Sequence, residues 1–207
     1  MTRLARLVRS SLDPEQRALF DVLAGTERDG QRPLKPRLGP DGALEGPFNA
    51  QLRSPVIGAA FHELTEAVRY RSQLTDRQRE LVVLTVAAAR DSAYERYAHE
   101  AIGRAVGLTD DEVRALSGGQ VPDGLMGDEA VVARTGWRLA AHHDLSDEEY
   151  EEAVRVLGEQ RLFELVVLVG TYEAVALQLR VFRVRPPEVD EGTAQGPASA
   201  GGREAEG

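Results

Sequence analysis

The amino-acid sequence predicts an all-α protein built around one core, and three observations support this. Residues that begin helices recur along the chain from about residue 12 onward. The alternation of polar and apolar residues that is typical of β-strands is absent. With 207 residues, of which 42% are apolar, the chain is long enough to bury one substantial core. Its length favours one domain over two.

The first helix is predicted from Pro14 to about residue 24, because Asp13 can cap it and proline fits the first helical position. Residues 25–48 are rich in Gly, Pro and Arg and predict a long irregular connection. Connections of this length often carry function. Ser54 and Pro55 then begin a second helix that extends to about residue 71.

Capping-box pairs mark three later helix starts. These pairs are Thr75 with Gln78, Thr109 with Glu112, and Ser146 with Glu149. The helix after Thr75 continues into the apolar residues 81–89, so we expect it to be buried. Asp91 or Ser92 restarts the chain into a helix that ends near Val106, with Gly107 as its left-handed C-cap. Further helices are expected at residues 128–141 and 159–182.

The chain divides into an N-terminal helix and irregular arm (residues 1–45), a helical domain (46–186) and a tail (187–207). The tail contains almost no large apolar residue, and we expect it to be disordered. The sequence Glu-Leu-Val-Val-Leu occurs at residues 80–84 and again at 164–168. This repeat suggests an internally duplicated helical unit.

Composition excludes several functional classes. The formal net charge of -9 argues against nucleic acid and anionic lipid as partners. The absence of cysteine excludes disulfides, thiolate nucleophiles and Cys-ligated zinc. Residues 1–11 lack the apolar stretch of a secretory signal, and the apolar residues 81–89 are too few to span a bilayer. We therefore expect a cytoplasmic protein without a membrane partner.

Glu80, Glu95 and His99 are the candidate catalytic residues. Glu80 lies beside a strongly apolar segment, where desolvation would raise the pKa of its carboxyl towards neutral pH. Glu95 and His99 are four residues apart, so they share one helix face, and a carboxylate that holds an imidazole tunes its basicity. Each residue also has a structural explanation: Glu80 can pair with Arg77, Glu95 fits a capping box with Ser92, and His99 can be a structural histidine whose hydrogen bonds are satisfied.

Other patterns with chemical potential are weaker. Tyr94 is an ordinary core aromatic, although its hydroxyl can also donate to a ligand. His62 lies in an amphipathic helix, and the adjacent His142 and His143 diverge on a helix, so no metal site is predicted. The serines lack the glycines of a nucleophile elbow, and no Gly-rich phosphate loop is present.

Residues 46–182 resemble the carboxymuconolactone decarboxylase family, which groups with the AhpD-like alkylhydroperoxidases. The resemblance is carried by Gly-Pro-Phe-Asn at 46–49, Leu-Arg-Ser-Pro at 52–55, Leu-Thr-x-Arg-x-Arg-Glu at 74–80, Tyr-Glu-Arg-Tyr-Ala-His-Glu at 94–100 and Gly-Leu-Thr-Asp-Asp-Glu at 107–112. It implies an AhpD-like helical bundle and a homo-oligomer, trimeric or hexameric, with sites near subunit contacts.

In the peroxidase branch of this family, a glutamate and a histidine accompany a Cys-x-x-Cys pair. Glu80 and His99 match the first two, but the cysteine positions fall on Ser92 and Glu95. A serine cannot form the sulfenate and disulfide that peroxidase turnover requires. Thiol peroxidase activity is therefore not expected.

The chain is similar to the cysteine-free decarboxylase branch around Tyr94, Glu95 and His99, although Arg96 replaces that branch's usual tryptophan. This resemblance implies a decarboxylase that needs no metal and no cofactor and acts on a small carboxylated, possibly lactone-containing, metabolite. Arg53 or Arg96 would anchor the substrate carboxylate, with Ser92 and Tyr94 as further binding residues. A proton-transfer isomerase and a non-catalytic helical oligomerisation module are the alternatives.

Overall fold

The computed structural model describes residues 2–25 and 38–187, and these residues form eight α-helices and no β-strand. The helices are α1 (Pro14–Ala24), α2 (Phe48–Gln51), α3 (Pro55–Tyr70), α4 (Asp76–Ala89), α5 (Ala93–Ala105), α6 (Asp110–Ser117), α7 (Gly127–His142) and α8 (Asp147–Val181). Two isolated bridges join Val8 to Ala43 and Leu38 to Leu44. The predicted all-α fold is confirmed.

Helix α4 is the centre of the bundle. Every residue from Gln78 to Ala87 is buried, because this helix packs against α5, α6, α7 and α8. From Leu81 to Ala87 it is apolar on all sides except at Thr85. One core cluster joins α4 to α7 and α8, through side chains such as Val82, Val132 and Leu168. A second cluster joins the opposite face of α4 to α6. Side chains of α4 are therefore held in fixed positions.

Most of the predicted helix starts are confirmed. Reciprocal capping boxes form at Asp13, Thr75, Thr109 and Ser146. Ser54 and Ser92 are the N-cap residues of α3 and α5, but their side chains make no capping hydrogen bond. The single turn of α2 was not predicted, because one turn is too short to show a helical period. It begins at the end of a segment that the sequence predicts to be irregular.

Helix α8 is interrupted at Gly158, whose φ of 77° and ψ of 161° are not helical. Only glycine adopts this backbone conformation readily, which explains why the helix breaks at this residue. The break falls where the sequence predicts the last helix to begin. By its length and apolar composition alone, α8 could cross a membrane, but the core helices of soluble proteins can have the same length and composition. Half of its most apolar 18-residue stretch is buried inside the structure.

The N-terminal segment packs against the helical bundle. The backbone N–H of Arg3 donates to the carbonyl of Phe182 at 2.9 Å. The Asn49 side chain accepts a hydrogen bond from the backbone N–H of Leu7 and donates one to its carbonyl. A third apolar cluster unites α1 with Leu44 and Leu52. Residues 26–37, within the predicted irregular connection, and residues 188–207 of the predicted tail lie outside the described residues.

Candidate functional site

Glu80 and His99 meet between α4 and α5. Glu80 Oε2 lies 2.7 Å from His99 Nδ1, and the two residues are only 2% and 8% exposed. We assign the proton to Nδ1, because an ionised Glu80 can only accept a hydrogen bond. This contact fixes the orientation of the imidazole, and no described residue hydrogen-bonds Nε2. Nε2 is therefore the ring nitrogen that is left for a substrate.

Arg69 of α3 and Tyr172 of α8 complete the cluster. Arg69 Nη2 lies 3.6 Å from Glu80 Oε1, and Arg69 Nη1 donates to the Tyr172 hydroxyl. The ring of Tyr172 packs edge-to-face on His99, with 5.2 Å between the ring centroids. Burial raises the pKa of Tyr172 to about 12, so its phenol stays protonated at neutral pH. Four helices thus contribute one side chain each.

The pKa of Glu80 corrects one expectation. Burial pushes this pKa up, as the sequence predicts, but His99, Arg69 and Arg79 together outweigh burial and hold the pKa below its ordinary value. Glu80 is therefore ionised at neutral pH. Arg77, which the sequence suggested as a partner of Glu80, instead pairs with Glu112 and Glu129. These ion pairs link α4 to α6 and α7.

Glu95 does not hold His99 as the spacing of four residues suggested. Its side chain is 2% exposed, and neither carboxylate oxygen has a hydrogen-bond partner among the described residues. Burial raises the pKa of Glu95 to about 7. The nearby Ser92 hydroxyl offsets this rise in part, although its geometry falls short of a hydrogen bond. His99 bonds Glu80 instead because α4 packs directly against α5.

Tyr94 lies on the side of α5 that meets the arm. Its ring packs against Gly46, where an added Cβ would approach the ring to 2.7 Å. Burial raises the pKa of Tyr94 to about 12, and the charge of Glu45 adds to the rise. Glu45 and Gly46, where the arm joins the helical domain, therefore lie against Tyr94. The φ of 61° at Gly46 is one that glycine adopts without strain.

The two arginines proposed as carboxylate anchors have other contacts. Arg53 donates to the backbone carbonyl of Ala5, and Arg96 pairs with Asp91 at 2.9 Å. No contact in the described part of the chain joins either arginine to Glu80 or His99. Arg69 is the arginine that the structure places in the cluster.

Two cavities lie away from this cluster. One, of about 860 Å³, is lined by residues 119–125, by Trp137 and by two ion pairs between α7 and α8. The other, of about 270 Å³, lies beside Arg90 and shares Trp137. Neither includes a member of the Glu80–His99 cluster, so we define the candidate site by its side-chain chemistry. The described residues contain no group of three or more His, Asp or Glu side chains that could hold a metal ion.

Arg69 and Tyr172 are not among the residues that the sequence predicts for the site. Arg69 lies in the last turn of α3, where a basic residue is explained by the helix dipole alone. Tyr172 lies in an apolar helix, where an aromatic residue is ordinarily part of the core. No local pattern distinguishes these two residues, because they reach Glu80 and His99 only through helix packing.

The model of the Carboxymuconolactone decarboxylase family matches residues 55–137. The matched segment includes Arg69, Glu80, Glu95 and His99 but ends before Tyr172. No curated protein matches this chain by sequence.

Several solved structures have a similar fold. An uncharacterised peroxidase-related protein from Ralstonia eutropha JMP134, described as an alkylhydroperoxidase AhpD core, is 15% identical with a TM-score of 0.69, over 90% of this chain and 93% of that chain. A putative antioxidant defence protein AhpD from Agrobacterium tumefaciens is 18% identical with a TM-score of 0.60, over 67% and 96%. The debrominase Bmp8 is 14% identical with a TM-score of 0.66, over 88% and 91%. At such low sequence identities, the structural similarity shows that this chain shares the fold of these proteins.

Proposed function

We propose, on the premise that this chain belongs to the carboxymuconolactone decarboxylase/AhpD-like superfamily, that it is an acid/base enzyme whose reaction centre is the Glu80–His99 pair. The observation that carries this proposal is the 2.7 Å contact between Glu80 and His99 in a buried cluster. A buried carboxylate that orients an imidazole is a common device for general acid/base catalysis.

The reaction that we propose is decarboxylation of a small carboxylated, lactone-containing metabolite without a metal or organic cofactor. Cleavage of the bond to the carboxylate releases CO2 and leaves its electron pair delocalised into the lactone carbonyl as a dienolate. His99, as an imidazolium that has taken a proton from solvent at Nε2, then delivers that proton to the ring carbon, while Glu80 stabilises the imidazolium through Nδ1. Tyr172 and Arg69 keep the imidazole and Glu80 in place.

The lack of cysteine narrows the chemistry further. Every reaction of the superfamily that requires a thiol is closed to this chain, because it contains no cysteine. The debrominase complex with 2,3,4-tribromopyrrole was solved with a variant in which a cysteine is replaced by alanine. Proton transfer by Glu80 and His99 needs no thiol, which favours the acid/base proposal.

Measurement of CO2 release from carboxymuconolactone tests the proposal. We expect release by the wild type, and turnover about 10²–10⁴-fold lower in His99→Ala, because the general acid is lost. His142→Ala is the matched control, since His142 is exposed on α7 and contacts Trp137 rather than the cluster. A folded His99→Ala variant with full turnover would remove His99 from this role.

If the wild type releases no CO2, deuterium exchange from solvent into the lactone separates the alternatives. Exchange that depends on His99 would identify a proton-transfer isomerase at the same site. The absence of both CO2 release and exchange would favour the non-catalytic module.

We also propose that the chain forms a homo-oligomer. Large apolar side chains are exposed on α3 and α8, including Val56 at 76%, Ile57 at 67% and Phe163 at 69%. Because α3 and α8 are in contact, we propose that these side chains belong to one apolar surface, and such surfaces are typical of those that another chain covers. Light scattering should give a trimer or hexamer, and Phe163→Glu should reduce the molar mass towards that of the monomer.

A further inference from the structure

Three buried polar atoms without partners lie within one turn of α5. They are the Ser92 hydroxyl and both carboxylate oxygens of Glu95. The other such atoms among the described residues occur singly, at Gln51 Oε1, Arg79 Nε and Arg161 Nε. Arg138 Nε also makes no hydrogen bond, but it is ion-paired with Glu149 at 2.6 Å. Buried polar groups are nearly always satisfied, so a cluster of three marks a place where the partner comes from outside the chain.

Helix capping does not explain these two residues. Ser92 is the N-cap residue of α5, but its side chain makes no capping hydrogen bond. Glu95 occupies the third position of the helix, where a capping-box glutamate would reach back to the backbone. Instead its side chain is buried, and neither oxygen reaches that backbone.

The pair adjoins the reaction centre. Glu95 precedes His99 by one helical turn on α5, and its charge acts on Tyr172, which packs on the His99 ring. The charged groups that contact His99 and Tyr172 are Glu80 on α4 and Arg69 on α3, which pair with each other. Burial and the Ser92 hydroxyl are the influences on the Glu95 carboxyl itself. The beginning of a helix also favours a negatively charged oxygen.

We propose that Ser92 and Glu95 form an oxygen-binding subsite beside the Glu80–His99 pair, in which the Ser92 hydroxyl and a neutral Glu95 carboxyl donate hydrogen bonds to a carboxylate or carbonyl oxygen of the ligand. The substrate class rests on the proposed function, which this subsite extends. Glu95 thereby takes the role of binding the substrate carboxylate, for which the sequence predicted Arg53 or Arg96.

The protonation state of Glu95 fits a donor role. With its pKa raised to about 7 by burial, the carboxyl retains its proton below neutral pH and can donate to an anionic oxygen. When it ionises, it loses that proton and repels a carboxylate ligand. Ligand affinity should therefore fall as the pH rises through about 7.

Acetate is a suitable probe, because it presents a carboxylate and stays ionised throughout the range used. Binding is followed by NMR of protein labelled with ¹³C at the glutamate carboxyls, with the Glu95 signal assigned from Glu95→Gln. We expect a saturable change of that signal and an affinity about 30-fold higher at pH 6 than at pH 8.5, from the fraction of neutral Glu95.

Two variants sharpen the test. Glu95→Gln keeps a neutral donor, so its acetate affinity should lose the pH dependence, and Ser92→Ala should weaken binding about tenfold at pH 6. Glu151→Gln, which removes an exposed carboxylate on α8, is the matched control and should behave like the wild type. Circular dichroism establishes that each variant is folded.

A Glu95 signal that titrates but does not respond to acetate at pH 6 would overturn the subsite. Persistence of the pH dependence in Glu95→Gln would overturn it equally. Neither readout involves turnover, so failure to release CO2 would leave the subsite standing. Conversely, failure of acetate binding would leave the Glu80–His99 proposal intact.

Discussion

The beginnings of α4 and α5 carry the same sequence pattern but use it differently. Thr75 and Gln78 form a reciprocal capping box that closes the first turn of α4. Ser92 and Glu95 have the same spacing, yet Ser92 makes no capping bond and Glu95 points into the interior. A capping pattern therefore predicts where a helix begins but not what its side chains bind.

Each helix also buries a glutamate, and the pKa values of these two carboxyls are shifted in opposite directions. Glu80 and Glu95 are both 2% exposed. The pKa of Glu80 falls below its ordinary value because His99, Arg69 and Arg79 surround it, whereas that of Glu95 rises to about 7 because no cation compensates for its burial. Partners, rather than depth of burial, decide which carboxyl is charged.

Removing the charge of Glu80 should have the largest effect. Glu80→Gln leaves Arg69 and His99 without their anion, and loss of one partner from a buried ion pair costs about 3–5 kcal/mol. Urea denaturation at pH 7 measures this loss. Because the folded pKa of Glu80 is lowered, its contribution is present above pH 4.5 and is lost at lower pH. Equal stability of the variant and the wild type at pH 7 would contradict the assignment.

Glu95 should affect stability in the opposite sense. The folded state binds the proton of Glu95 more tightly than the unfolded chain, so the wild type should lose stability between pH 4.5 and about pH 7. This loss corresponds to at most about 3 kcal/mol. Glu95→Gln cannot ionise, so at pH 8 it should exceed the wild type by up to that amount. Parallel pH profiles of unfolding free energy would show that Glu95 is not buried as described.

Substitution of Tyr172 tests whether its hydroxyl stabilises Arg69 beside Glu80. Tyr172→Phe keeps the ring contact with His99 but removes the hydroxyl that accepts a hydrogen bond from Arg69. Because the donor is charged, we expect a loss of about 2 kcal/mol in the free energy of unfolding. Tyr150→Phe, which alters an exposed tyrosine on α8, serves as the control. The same small change in both variants would argue against this contact.

The two helix starts give the smallest predicted difference. Thr75→Ala removes a formed cap and should cost about 1 kcal/mol. Ser92→Ala removes a hydroxyl that caps nothing, so we expect a loss below about 0.5 kcal/mol. Denaturation of both variants under one condition measures the difference. A larger loss in Ser92→Ala would show that its hydroxyl does cap α5.

Local patterns predicted most of the fold. The capping residues Asp13, Thr75, Thr109 and Ser146 mark helix starts because their side chains bond backbone groups three residues away. The Glu80–His99 pair was only partly predictable. The sequence identified both residues, but it paired His99 with Glu95, since spacing along one helix cannot show which side chain a second helix presents.

The sequence by itself determined the helical class, the helix starts, the absence of thiol chemistry and the residues Glu80, Glu95 and His99 as candidates. These features depend on composition and on contacts within a few residues. Only the tertiary structure decided that the pKa of Glu80 is lowered while that of Glu95 is raised to about 7, and that Arg69 and Tyr172 join the Glu80–His99 pair. The pKa of a buried carboxyl depends on groups that other helices bring within a few ångströms, and packing alone sets those distances.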